Sequence, residues 1–291
     1  MQHLSDSRIG MKLKEYIYGC IFFLGLAYVF SFFSNIAEGF QVKKPLQKIA
    51  VITSIFGGYD DLKEPDIKSM NLVDWYCFTD STSISSKVWN IINTQYHLQN
   101  AKNEYMQYHN YYNNITDAKT RNMMSAKYYK IKPHEIDILQ DYDYYIWVDG
   151  SIILQPNFLI NMITHINNNY DLINFKHSAR DNIYDEMTLS ITMNKYQSQD
   201  IETQYNDYIA EGFPDNLGLF ECTIMVKKNT ANINSIFDMW WIQNLKYTYQ
   251  DQISYPYSLW KNGKYTQYII TDNVFYNKEY SQSPASVRLN H

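Results

Sequence analysis

The chain has 291 residues, with 25 Lys and Arg against 30 Asp and Glu, a net charge of −5 and a sequence pI near 5.8. That balance excludes a basic nucleic-acid footprint, and three cysteines are too few for a disulfide scaffold. The length suits one large α/β domain with a sizeable core, and no internal repeat or coiled-coil run divides it.

The N-terminus reads as a separate object. Between Glu15 and Glu38 no Asp, Glu, Lys or Arg occurs, and such a stretch spans a hydrocarbon core of roughly 30 Å as a helix. Arg8, Lys12 and Lys14 precede it, so the positive-inside rule keeps residues 1–15 in the cytosol and sends the body across the membrane. The expectation is a type II signal anchor over 16–37, a stem over 38–47 and a lumenal domain over 48–291. A cleaved signal peptide ending near Asn35-Ile36-Ala37 is the competing reading. In that compartment Asn114-Ile115-Thr116 is a glycosylation sequon, and Cys77 and Cys222 either pair or stay as buried thiols.

Lys48 to Phe56 predicts a first strand, short and β-branched, running into Gly57-Gly58-Tyr59-Asp60. The glycine pair allows either close backbone approach to a ligand or an ordinary tight turn. Val73 to Asp80 predicts a second strand ending in a carboxylate, and Val88 to Ile92 a third. From Ala118 the pattern is helical until Pro133 stops it. Lys127, Lys130 and His134 share one face if the helix continues that far, with Arg121 two turns upstream.

Tyr144-Tyr145-Ile146-Trp147-Val148 predicts a strand covered on both faces, ending at Asp149-Gly150-Ser151. Ligands in open α/β sheets bind beyond the carboxyl ends of strands. Asp149 reads either as a cation ligand there or as a turn cap. A helix from Gln155 to Asn168 and a strand over Asp171–Phe175 follow. Next comes a dense polar run from Lys176 to Glu186, which reads as a site or as a charged helix start capped by Asp181 with Asp185 and Glu186 in its first turn. Two amphipathic helices near 183–195 and 198–211, a strand over Phe220–Val226 containing Glu221, and a helix over Asn229–Gln243 complete this part. In Gln250-Asp251-Gln252, Pro256 places Asp251 in or before the first turn of the last helix. The alternation predicts a mixed, mainly parallel sheet flanked by helices, with Asp80, Asp149 and His177 at one mouth.

The chain resembles the TOD/MUCI70-type glycosyltransferase-like family. The matching pieces are Ile52 to Asp60, Cys77-Phe78-Thr79-Asp80, and the Arg121–Lys130 helix with Pro133-His134. Ile146 to Ser151, His177 to Glu186, Glu221 to Val226 and Gln250 to Tyr257 follow in order. The resemblance implies a GT-A-like fold and transfer of a sugar from a nucleotide sugar to a glycan, protein or lipid acceptor. It also implies Mn²⁺ or Mg²⁺ held by an Asp-x-Asp motif, of which this sequence keeps only Asp149, with Ser151 in the second place.

On that basis Ser54, Tyr59, Asp60 and Asp80 hold base and ribose, and Arg121 and Lys130 neutralise the diphosphate. His177, Arg180, Asp181, Glu186 and Glu221 orient donor sugar or acceptor. Asp251 is the candidate base or oxocarbenium-facing carboxylate, and a helix cap otherwise. Type II anchoring with a lumenal body suits a Golgi or other secretory-membrane enzyme. The rival expectations are a membrane-anchored metal-dependent hydrolase of a lipid or glycan, and an inactive glycan-binding module on the same fold.

Overall fold

The computed structural model describes residues 47–65, 70–94, 117–196, 199–277 and 280–282. The expected anchor, the stem up to residue 46 and the sequon at Asn114 lie outside the described residues. Among the described residues no helix is long and apolar enough to cross a membrane. The chain divides into two units, Met1–Lys44 and Pro45–His291, and the described residues all belong to the second.

The elements run β1 (Ile49–Ile55), β2 (Asp74–Thr79), β3 (Asn90–Asn93), α1 (Ala118–Ile131), β4 (Tyr144–Val148), β5 (Ile153–Leu154), α2 (Phe158–Asn167), β6 (Leu172–Lys176), α3 (Ile183–Ile191), α4 (Ile201–Ala210), β7 (Phe220–Lys228), α5 (Ala231–Lys246), α6 (Asp251–Asn262), β8 (Gln267–Ile270), β9 (Tyr276–Asn277) and β10 (Ser281–Gln282). The main sheet has the order β3-β2-β1-β4-β7-β6-β8, and β5, β10 and β9 form a small second sheet. β7 is antiparallel to β4 and β6, and the remaining pairs of the main sheet are parallel. The expected mixed, mainly parallel sheet is therefore present. Every residue of β1 and β4 is buried, as continuous apolar strands covered on both faces require.

One apolar cluster packs α1, α5 and α6 on one face of the sheet, and a second packs α2 on the other. Trp240 and Trp241, which also suit a sugar platform, lie inside α5 and are fully buried, so they serve the core. Cys77 and Cys222 are free and buried rather than paired, and burial pushes the Cys77 thiol up to about 12.

α1 stops at Ile131 ahead of Pro133, as read from the sequence, so His134 lies outside it in a separate short turn. Two details differ from the sequence reading. α6 continues through Pro256, although proline was expected to forbid a helix interior there. The ring costs a single ladder bond near the first turn, and the burial of Ile253, Tyr255 and Tyr257 holds the helix regardless. β8 and the small sheet gave no readable signal, because their strands are only two to four residues long.

Strand polarity sets where chemistry gathers. The C-terminal ends of β1, β2, β4 and β6 and the N-terminal end of β7 share one edge of the sheet. Asp149 is fixed there because its backbone N–H donates to the Thr223 carbonyl of β7 at 2.9 Å. His177 N–H donates likewise to the Leu219 carbonyl at 2.8 Å.

Candidate active site

At that edge lies an open cavity of about 850 Å³. Its wall includes Ser54, Tyr59 and Asp60 after β1, Asp149 to Ser151 after β4, and His177 to Arg180 after β6. Glu221 of β7, Gln250 and Asp251 at the start of α6, and one stripe of α1 complete it. That stripe is Lys119, Asn122, Met123, Ala126, Lys127 and Lys130, the i, i+3, i+4 spacing of one helix face. At about 100° per residue Arg121 falls on the opposite side, and it is exposed and off the wall. It does not reach the place where a diphosphate would lie.

The centre of the cavity is an ion network. Asp251 accepts from Lys127 Nζ at 2.7 Å through Oδ1 and from Lys130 Nζ at 2.8 Å through Oδ2. Lys130 also lies 3.4 Å from Asp149 Oδ1 and 5.5 Å from the centre of the Trp147 ring. The Trp147 indole N–H donates to the same Asp149 oxygen at 2.6 Å. Burial opposes charge on Lys127, Lys130 and Asp251, and neighbouring charges overcome it for Lys130 and Asp251. Asp149 and Asp251 hold the Lys130 ammonium above its ordinary range. Burial would raise the Asp251 carboxyl, but Lys127 and Lys130 hold it below the usual range. Burial pulls Lys127 down despite Asp251.

The loop after β1 is held from two sides. Gly57 N–H donates to both oxygens of Asp80, at 3.0 and 3.1 Å. Gly57 has φ +65°, and a Cβ there would come within 1.9 Å of Asn122 Nδ2. Asp80 therefore stands behind the cavity as a support for the loop, not on its wall. The loop presents Tyr59, 48% exposed. Burial and then the charges of Asp60 and Asp149 push its phenol up.

On the far side, His177, Arg180 and Glu221 reach the wall, and Glu186 stands behind them. Arg180 Nε donates to Glu186 Oε2 at 2.5 Å, and Gln250 Nε2 donates to Glu186 Oε1 at 2.6 Å. Buried Glu186 thus ties Arg180 to the start of α6. Asp181 is exposed and off the wall, and Asn182 rather than Asp181 caps α3 by accepting from Asp185 N–H. Sequence reading named Lys127 only as part of a basic face and did not pick Lys119, Asn122 or Gln250 as site residues. The i, i+3 relation of Lys127 to Lys130 was the available signal.

The donor set around Asp149 fits a hard divalent cation. Asp149 Oδ2 has no hydrogen-bond partner among the described residues, and the side chain is 37% exposed. A Cβ at Gly150 would meet Asp60 Oδ2 at 3.3 Å, so the glycine allows that second carboxylate to stand beside the Asp149 turn. With Ser151 these are oxygen donors of the kind that hold Mg²⁺ or Mn²⁺ together with phosphate oxygens and water.

Another group, His134, Glu135 and Asp238, brings ligand atoms within 4.8 Å of one another, but none of the three is on the cavity wall. Lys132 Nζ lies 2.5 Å from Asp238 and 2.6 Å from Glu135, and Lys227 Nζ lies 2.8 Å from His134 Nδ1. Amines thus already occupy that cluster.

Among the described residues the charged side chains of the wall balance: Lys119, Lys127, Lys130 and Arg180 face Asp60, Asp149, Glu221 and Asp251.

A search of curated protein sequences finds no match. Among solved structures, the chain is similar to the mannosyltransferase Ktr4p from S. cerevisiae at 10% identity and a TM-score of 0.41. That alignment covers 74% of this chain and 66% of that one, just under two thirds of its length. It is also similar to mouse xyloside xylosyltransferase 1 at 8% identity and a TM-score of 0.41, covering 77% of this chain and 84% of that one. At such scores neither likeness carries an argument about chemistry. A family model for the TOD1/MUCI70 glycosyltransferase-like domain matches residues 33–288, and the chain belongs to that family.

Proposed function

We propose that the protein is a glycosyltransferase that moves a sugar from a nucleotide sugar to the hydroxyl of a glycan, protein or lipid. The observation that carries this reading is the meeting of Asp149, Lys130 and Asp251 within hydrogen-bonding distance, in one cavity with the loop after β1 and with His177, Arg180 and Glu221.

The chemical difficulty is the charge that develops on the departing diphosphate. Lys127 and Lys130 face the cavity from α1 and offer N–H donors to it, prepositioned by Asp251. A divalent cation held by Asp149, with Asp60 and Ser151 beside it, supplies further positive charge when bound. Asp251 has both oxygens engaged by ammonium groups and its acidity strengthened, so it suits holding those charges better than accepting a proton. The loop from Ser54 to Asp60 faces the nucleoside, with Asp80 fixing its backbone. Arg180 and Glu221 face the sugar. The charge-free stretch 16–37 and the basic residues before it support a type II anchor in a Golgi or other secretory membrane.

The test is a thermal-shift panel of nucleotide sugars with and without Mn²⁺, on the wild type and Asp149→Ala. A specific ligand present at about 100 times its Kd adds about 2.7 kcal/mol of stability. The expected result is stabilisation by one nucleotide class, lost or weakened in Asp149→Ala. Stabilisation by none, or hydrolysis of a sugar nucleotide that ignores Asp149, overturns the reading.

A further inference from the structure

The position of one proton on His177 points to what that side of the cavity recognises. His177 Nδ1 lies 3.2 Å from the backbone N of Ala179 and 3.0 Å from that of Arg180. Both backbone groups are donors, so Nδ1 is the acceptor and carries no proton. Burial holds the imidazole below its ordinary pKa, opposed by Glu221 and Glu186 and assisted by Arg180. A neutral ring accepting at Nδ1 is protonated at Nε2.

Among the described residues that proton has no acceptor at hydrogen-bond distance. Nε2 lies 3.5 Å from Arg180 Nη2, which is itself a donor, and 3.9 Å from Glu221 Oε1. Glu221 Oε1 already accepts from Ser178 N–H at 3.0 Å and Ser178 Oγ at 2.9 Å. Two N–H donors therefore converge with a carboxylate beside them, all three groups on the cavity wall. An oxygen that accepts twice and donates once completes the set, and that is the inventory of a hydroxyl. Charge argues the same way. Glu186 and Glu221 outnumber Arg180, so a phosphate oxygen is disfavoured and a neutral hydroxyl is not.

We infer that His177 Nε2–H, Arg180 Nη2 and Glu221 form a cradle for one sugar hydroxyl, the two nitrogens donating to its oxygen and the carboxylate accepting its proton. This rests on the glycosyltransferase reading and deepens it. It gives His177 the role of a neutral hydrogen-bond donor. The hydroxyl belongs either to the donor sugar or to the acceptor.

Asparagine separates this role from turn capping. In His177→Asn the amide oxygen still accepts from the N–H groups of residues 179 and 180, as in an Asx turn, while the reaching N–H is lost. Melting temperature should be unchanged. If the hydroxyl comes from the donor, affinity for UDP-glucose, UDP-galactose or UDP-xylose falls roughly five- to tenfold while affinity for UDP alone holds. If it comes from the acceptor, donor affinity holds and the KM for acceptor rises by a similar factor. Unchanged affinity together with unchanged KM overturns the proposal.

A second readout needs no nucleotide. In ¹⁵N-histidine-labelled protein, His177 should show a bare Nδ1 and a protonated Nε2 at about pH 8, above the ordinary imidazole range. The Nε2 resonance should move when methyl glucoside, galactoside, mannoside or xyloside is added. A proton on Nδ1, or no movement with any of the four, overturns the cradle. A wild type that binds no nucleotide sugar, yet shows the expected resonance and its movement, refutes the transferase reading alone.

Discussion

Asp251→Asn is the sharpest perturbation of the ion network. Asp251 is 8% exposed and its two oxygens hold the Lys127 and Lys130 ammonium groups at 2.7 and 2.8 Å. At an effective dielectric of about 20, each contact is worth roughly 6 kcal/mol of attraction, most of which repays desolvation. Removing the charge strands Lys127 and leaves Lys130 only Asp149, at 3.4 Å. Breaking a buried pair of this kind costs about 3–5 kcal/mol. For a domain of this size that is a drop in Tm of roughly 10 °C.

The stranded Lys127 gives the penalty a pH signature. Its folded pKa is already lowered by burial, and losing Asp251 lowers it further. The unfolded chain then binds more protons than the folded one, so stability rises with pH. The gap between Asp251→Asn and wild type should narrow as pH climbs from about 7 towards 9. Lys127→Met combined with Asp251→Asn should cost less than the sum of the two single changes. The assay is thermal melting by circular dichroism across that range. A single mutant melting within about 2 °C of wild type at neutral pH would refute the reasoning, because that is the scale of an ordinary surface change.

Other outcomes follow from the same geometry. Asp149→Ala should lower turnover of the nucleotide sugar by roughly 10²–10³ with little change in Tm, measured by steady-state kinetics. Gly57→Ala places a Cβ at φ +65° and against Asn122. It should cost about 1–3 kcal/mol in denaturant unfolding and weaken nucleotide affinity. Asp80→Ala removes the acceptor of the Gly57 N–H and should weaken nucleotide affinity without touching the cavity wall, as calorimetry with UDP can read. Asp238 is held at about 2, since His134 and Lys132 overcome its burial. Its contribution is present above the unfolded value near ~3.9 and is lost as pH falls through about 2, so Asp238→Asn should flatten the acid arm of a Tm–pH curve.

The strands that carry the site were legible because they are buried on both faces. β1, β4 and β7 leave no alternation to misread, and β4 points Asp149 at the cavity as its apolar run predicts. Which side chains then turn inward was less legible. Arg121 and Lys130 look alike in a basic stretch, and only helical phase separates them. Asp80 sits at a strand end exactly as Asp149 does, yet its carboxylate is spent on a glycine N–H. Glu186 reads as a surface charge in a first turn but is buried under Arg180. Such roles depend on partners dozens of residues away, which no local pattern encodes.

Among the described residues, four positive and four negative side chains face the cavity, and opposite signs packed this closely cancel beyond their own neighbourhood. An anionic molecule diffusing nearby therefore feels no long-range pull from these groups, and the net charge of −5 adds only a weak repulsion that salt screens. Selection then happens only on contact, where ammonium, guanidinium and carboxylate groups act one at a time on whatever has already entered.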